Sequence, residues 1–93
     1  MPYIKQEERV DIGLEDIYKL SEKIRRWNEP GRAGRLNYTI SKLINHIYSL
    51  RNNPSYANIN EAIGVLECIK QELYRRLAGP YEDKKIEENG DVF

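Results

Sequence analysis

Apolar residues along this chain recur at spacings of three and four, the repeat of a helix with one sheltered face. Val10, Leu14, Ile17, Ser21 and Ile24 form the first such stripe, with Tyr18, Leu20 and Trp27 flanking it, and predict a helix from about Ile12 to Asn28. Asp11 stands where its carboxylate would accept the free amide hydrogens of a first turn, and Gly13 costs little that close to a helix start. Lys5 to Val10 are expected to make a separate helical turn. The run Asn28-Glu29-Pro30-Gly31-Arg32-Ala33-Gly34 then breaks the pattern, since proline removes an amide donor and glycine frees the backbone. Leu36, Ile40, Leu43, Ile44, Ile47 and Leu50 mark a second helix, which Asn52-Asn53-Pro54-Ser55 ends.

The third stripe is the longest: Tyr56, Ile59, Ile63, Leu66, Ile69, Leu73, Tyr74 and Leu77. Gly79-Pro80 is expected to close it, with glycine just past the last turn and a proline that cannot continue the helix. Ala62, Val65 and Ile69 widen its apolar arc to nearly half the circumference, whereas an ordinary surface helix needs a stripe of only ~100°. That width predicts a central helix or one that meets a second subunit. Beyond it, Pro80 suits the first position of a short helical turn with Glu82 and Asp83 in its first turn, and Asn89-Gly90 turns the chain. The apolar Val92 and Phe93 would then lie near Tyr3 and Ile4. The expected architecture is all-α: a small bundle of three principal helices, a short C-terminal helical turn and extended ends. Within a single domain over 1–93, residues 1–11 form an arm, 12–79 the core and 80–93 an acidic tail.

Composition narrows the function classes. With 93 residues, 15 Lys+Arg against 15 Asp+Glu, and 40% hydrophobic residues, the chain has the balance of a soluble globular protein and no domain-wide basic footprint for DNA. One cysteine and one histidine exclude a disulfide framework and the usual Cys- or His-pair metal motifs within one chain. No apolar run approaches the ~20 residues that span a membrane, and the start MPYIKQEERV is unlike a signal peptide, so the expected address is the cytoplasm. Charge is nevertheless segregated. Residues 29–53 hold four basic groups (Arg32, Arg35, Lys42, Arg51) against Glu29, a net +3, while residues 80–93 hold two lysines against five carboxylates, a net −3. Opposed patches of that size steer subunits together, although two solvated surfaces would look the same.

Few positions offer chemistry. Lys70 falls among Ile63, Leu66, Leu73 and Leu77 in the third stripe, where an ammonium is either a buried, functional group or the tip of a stem that snorkels out to a carboxylate such as Glu67. Arg32-Ala33-Gly34-Arg35, read as the loop before the second helix, pairs two guanidinium groups with free amides and would suit a phosphate or carboxylate, without P-loop spacing. Arg75 and Arg76 beside Tyr74 and Tyr81 offer a second anion or nucleic-acid candidate, although arginines near a helix C-terminus also complement its dipole. Glu67 and Glu72, ~140° apart around a helix, do not converge on a metal, and His46 has no visible partner. Cys68 points away from the main stripe. If a second subunit covers that side, Gly64, Val65, Cys68 and Ile69 are its contact residues. No catalytic residue, metal site or cofactor is assigned.

The strings MPYI, GVLECIKQELYRRL and PYEDKKIEENGDVF resemble an uncharacterised family of short proteins found in prokaryotes and their phages, over nearly the whole chain. The resemblance implies no activity or cofactor. It does place Lys70, Arg75, Arg76 and Asn89-Gly90-Asp91 inside the recognisable segments, and Arg32 and Arg35 outside them. The reading is therefore a homodimeric, non-enzymatic protein-interaction module, in contact with itself and another protein. A binder of phosphate-bearing ligands, nucleotides or nucleic acid is second, and a metal-dependent helical nucleotide hydrolase third.

Overall fold

Gly13 separates the expected N-terminal helical turn from the first long helix. Its φ of 81° is open to glycine and strained for any side chain, and its amide donates to the Arg9 carbonyl at 3.0 Å. Helix α1 (Gln6–Ile12) ends there and α2 (Leu14–Arg25) begins, so Asp11 lies inside α1 and caps nothing. This computed structural model describes residues 2–27 and 30–93; Met1, and the Asn28-Glu29 pair where the first helix was expected to end and break, lie outside the described residues.

Helix α3 (Gly31–Tyr48) starts earlier than its apolar stripe suggests. Pro30 already has right-handed helical angles, and the glycines behind it accept the same geometry, so Arg32, Ala33, Gly34 and Arg35 belong to the helix and not to a loop before it. Ser49, left-handed at φ 52°, ends α3, and the Asn45 carboxamide takes the Arg51 amide at 2.9 Å to hold the turn. Ser55 then opens helix α4 (Tyr56–Leu73), its hydroxyl accepting from the Asn58 amide at 3.0 Å.

Gly79-Pro80 does not end the third stripe. Tyr74–Ala78 widen into a single π-helical turn, in which the Gly79 amide reaches back five residues to the Tyr74 carbonyl, and helix α5 (Gly79–Asn89) follows directly. Pro80 has no amide to donate and would clash with a carbonyl four residues back in a regular helix. The extra residue in the turn relieves that conflict. Gly79 leaves room for the turn, since a Cβ there would stand 3.3 Å from the Tyr74 oxygen. The expected short terminal turn is thus an 11-residue helix. Residues 56–89 form one rod of ~50 Å at 1.5 Å per residue, matching the molecule's longest extent of 50 Å.

The fold is all-helical, as the periodicity requires, but the count differs: among the described residues five α-helices and a π turn stand where three principal helices and a terminal turn were expected. Helices pack in sequence order, α1 on α2, α2 on α3 and α3 on α4. Trp27 braces the α2–α3 corner. It lies against Gly31, where a Cβ would come within 2.9 Å of the ring, and under the Arg35 guanidinium at 4.8 Å.

The packing does not close. Among the described residues Ala62, at 3% exposure, is the only buried side chain. The apolar stripes of α2, α3 and α4 remain substantially exposed, including Ile17, Leu43, Ile63 and Leu77. The radius of gyration is 17.0 Å, whereas a compact chain of this length has ~12 Å. Its accessible surface is 8668 Å², whereas a folded monomer of this mass exposes ~5,600 Å². Val92 and Phe93 are fully exposed and do not approach Tyr3, which docks elsewhere.

Candidate functional site

Helix α4 presents two neighbouring stripes with different roles. Glu61, Val65, Cys68 and Glu72 recur at spacings of four, three and four and so share one side. The rest of the chain attaches along that side. Tyr48, from the end of α3, lies beside Glu61; burial first, then that carboxylate, raise its hydroxyl above the ordinary tyrosine value. At the other end, the Tyr3 hydroxyl donates to Glu72 Oε2 and accepts from Arg76 Nη1 at 3.2 Å. Arg75 Nη2 closes the cluster on Glu72 Oε2 at 3.1 Å. Tyr48 thus sits beside a glutamate early in α4, and Tyr3 clasps one at its end.

The Tyr3 clasp shapes the electrostatics at the π turn. The hydrogen bond from Tyr3 holds the Glu72 carboxyl below the usual carboxylate range; partial burial pulls the other way, and Arg75 and Arg76 add to the lowering. Arg76 is raised further, chiefly by its hydrogen bond to Tyr3. The N-terminal arm is set for this contact by its own local bonds. Lys5 N donates to Glu8 Oε2 at 2.9 Å, and Arg9 Nε donates to the Ile4 carbonyl at 2.9 Å.

The second stripe of α4 stays open. Ile63, Leu66, Ile69, Lys70, Leu73, Tyr74 and Leu77 run from mid-helix into the π turn, and Ile63 and Leu77 are 60% and 64% exposed. Lys70 is not buried. Its side chain is 65% exposed, and its Nζ lies 3.5 Å from Glu67 Oε1, which is the snorkelling arrangement. Of the four expected contact residues, Val65 and Ile69 are exposed and Gly64 has no neighbour within 4 Å of where a Cβ would sit, but Cys68 is half-buried within its own chain. The open apolar surface is centred one stripe away from Cys68, because the clasp already uses that residue's side.

The arginine candidates separate in the same way. Arg35 is spent on the α2–α3 corner, where Nη1 donates to the Lys23 carbonyl at 2.8 Å and satisfies the last turn of α2. Arg32 lies in the first turn of α3, whereas Arg75 and Arg76 lie in the π turn. Among the described residues no three His, Cys, Asp or Glu side chains gather closely enough to hold a metal ion. No helix of the described chain is long and apolar enough to cross a membrane.

Sequence reasoning missed Tyr3 and Tyr48. A signal was present: seven tyrosines against one phenylalanine mean that aromatic positions here nearly always carry a hydroxyl, and half-buried hydroxyls seek acceptors. A family model described as a domain of unknown function (DUF6899) matches residues 1–92, and the chain belongs to that family. No curated protein and no solved structure matches it.

Proposed function

We propose that this DUF6899 chain is a small non-enzymatic protein-interaction module, one domain over residues 1–93, which completes its hydrophobic core by pairing with a second copy. The observation that carries the reading is the excess surface. A single chain exposes ~3,000 Å² more than a folded monomer of its mass, and obligate dimer interfaces bury ~2,000–5,000 Å² in total. The open stripe from Ile63 to Leu77 supplies the apolar centre that such an interface needs.

The phosphate-binding reading has no comparable support, because Arg35, Arg75 and Arg76 already hold an oxygen or an aromatic ring of their own chain. The hydrolase reading lacks a convergent carboxylate set among the described residues. A cytoplasmic address and a prokaryotic or phage-borne distribution complete the proposal.

Light scattering on the eluting peak of a gel-filtration column tests it. At tens of micromolar the expected mass is twice the 11.0 kDa of one chain. A mass of one chain refutes the pairing.

A further inference from the structure

The dimer reading leaves open how two copies are oriented, and helix α5 answers it. Among the described residues none of α1 to α4 packs on α5, whose neighbouring element is the π turn that feeds it. Its two sides differ in how their charges are used. Lys85 lies over the Tyr81 ring at 5.5 Å and pairs with Glu88 at 3.1 Å, so that side is satisfied internally. On the other side Glu82, Asp83 and Glu87 surround the exposed Ile86, and among the described residues no salt bridge reaches these three carboxylates.

A matching surface exists on α3. Tyr38, Ser41, Lys42 and Asn45 share one side of that helix, and with Arg51 from the following turn they line a shallow recess. Lys42 is 5.7 Å from the Tyr38 ring, and neither Lys42 nor Arg51 has a carboxylate partner among the described residues. One chain thus carries an acidic helix side with an apolar centre, and a basic recess with an aromatic wall. Within one chain, among the described residues, α5 and α3 make no contact.

We infer that α5 of one copy lies on the Tyr38–Lys42–Arg51 recess of a second copy, with Ile86 against Tyr38, and Glu82, Asp83 and Glu87 facing Lys42 and Arg51. This rests on the dimer proposal and fixes its orientation as antiparallel. The rod formed by residues 56–89 has its midpoint between Glu72 and Leu73, so an antiparallel pair about that point sets Ile86 of one copy beside Ile59 of the other. That level of α4 is where the chain's own α3 ends, since α3 packs on α4, Tyr48 lies beside Glu61 and Arg51 lies in the connecting turn. A parallel pair would instead stack acidic α5 on acidic α5 and Lys70 on Lys70, which like-charge repulsion disfavours.

A charge exchange tests orientation separately from pairing. One variant carries Lys42→Glu and Arg51→Glu; the other carries Glu82→Lys, Asp83→Lys and Glu87→Lys. All five positions are exposed, and circular dichroism of each variant checks that helix content is kept. Each variant alone is expected to dimerise roughly tenfold more weakly than the wild type or worse, and the mixture to form heterodimers of near wild-type affinity, because both contacts are then restored. Wild-type affinity should also fall as salt rises towards ~0.5 M. If the wild type is a dimer but either variant pairs as tightly alone as mixed, the α5 contact is wrong and the dimer reading stands. A monomeric wild type overturns both.

Discussion

Tyr3 meets Glu72 across 69 residues of sequence, and this contact brings the N-terminal arm to the π turn. Because the folded-state pKa of Glu72 is lowered, its contribution is fully present above the ordinary glutamate value of ~4.3 and is lost as pH falls through the lowered value. The arm should therefore hold through mild acid and loosen only below ~pH 4.3, as Glu72 takes up its proton. Tyr3→Phe removes the main cause of the lowering and keeps the ring, so the Glu72 pKa should rise toward its ordinary value while helix content is unchanged. A side-chain NMR titration of wild type and variant reads this directly, and an unmoved Glu72 would mean that Arg75 and Arg76 suffice. None of this was legible from pattern alone. A tyrosine near the start and a glutamate in a helix have no spacing that links them, and only the chain reversals bring them together.

At the scale of elements, periodicity located α2, α3 and α4 because each carries an apolar stripe of about three turns or more. It failed where backbone chemistry outweighs side-chain pattern. Gly13 reads as a tolerable helix residue until its positive φ is seen, and Pro80 reads as a stop unless the preceding turn widens to take it. Stripe membership left Lys70 open between burial and snorkelling, and its long stem shares the apolar face while its ammonium stays in water beside Glu67. An exposed pair such as Lys70–Glu67 contributes ~0–1 kcal/mol. Lys70→Met should accordingly leave stability unchanged or raise it, as measured by urea unfolding at fixed protein concentration. A loss beyond ~1 kcal/mol would assign the ammonium a role that its present neighbours do not explain.

For the whole molecule, the open core ties folding to association. A chain that leaves its stripes exposed until it pairs has a stability set by concentration as much as by sequence. Tenfold dilution removes ~1.4 kcal/mol from a dimer, which for two chains of this size lowers Tm by ~3–5 °C. Melting followed by circular dichroism over a hundredfold range of concentration should show that drift, whereas an invariant Tm would identify a self-sufficient monomer. The extended rod gives the π turn a further meaning in terms of inheritance. Removing one residue from 74–78 would restore ordinary helix winding and turn everything beyond it by ~100° about the axis. Ile86 and its carboxylates would then point away from where they now do, although no residue of either contact face had changed. One codon in the middle of the rod thus sets which way its end faces, and relatives that differ there by a single insertion or deletion should not mix.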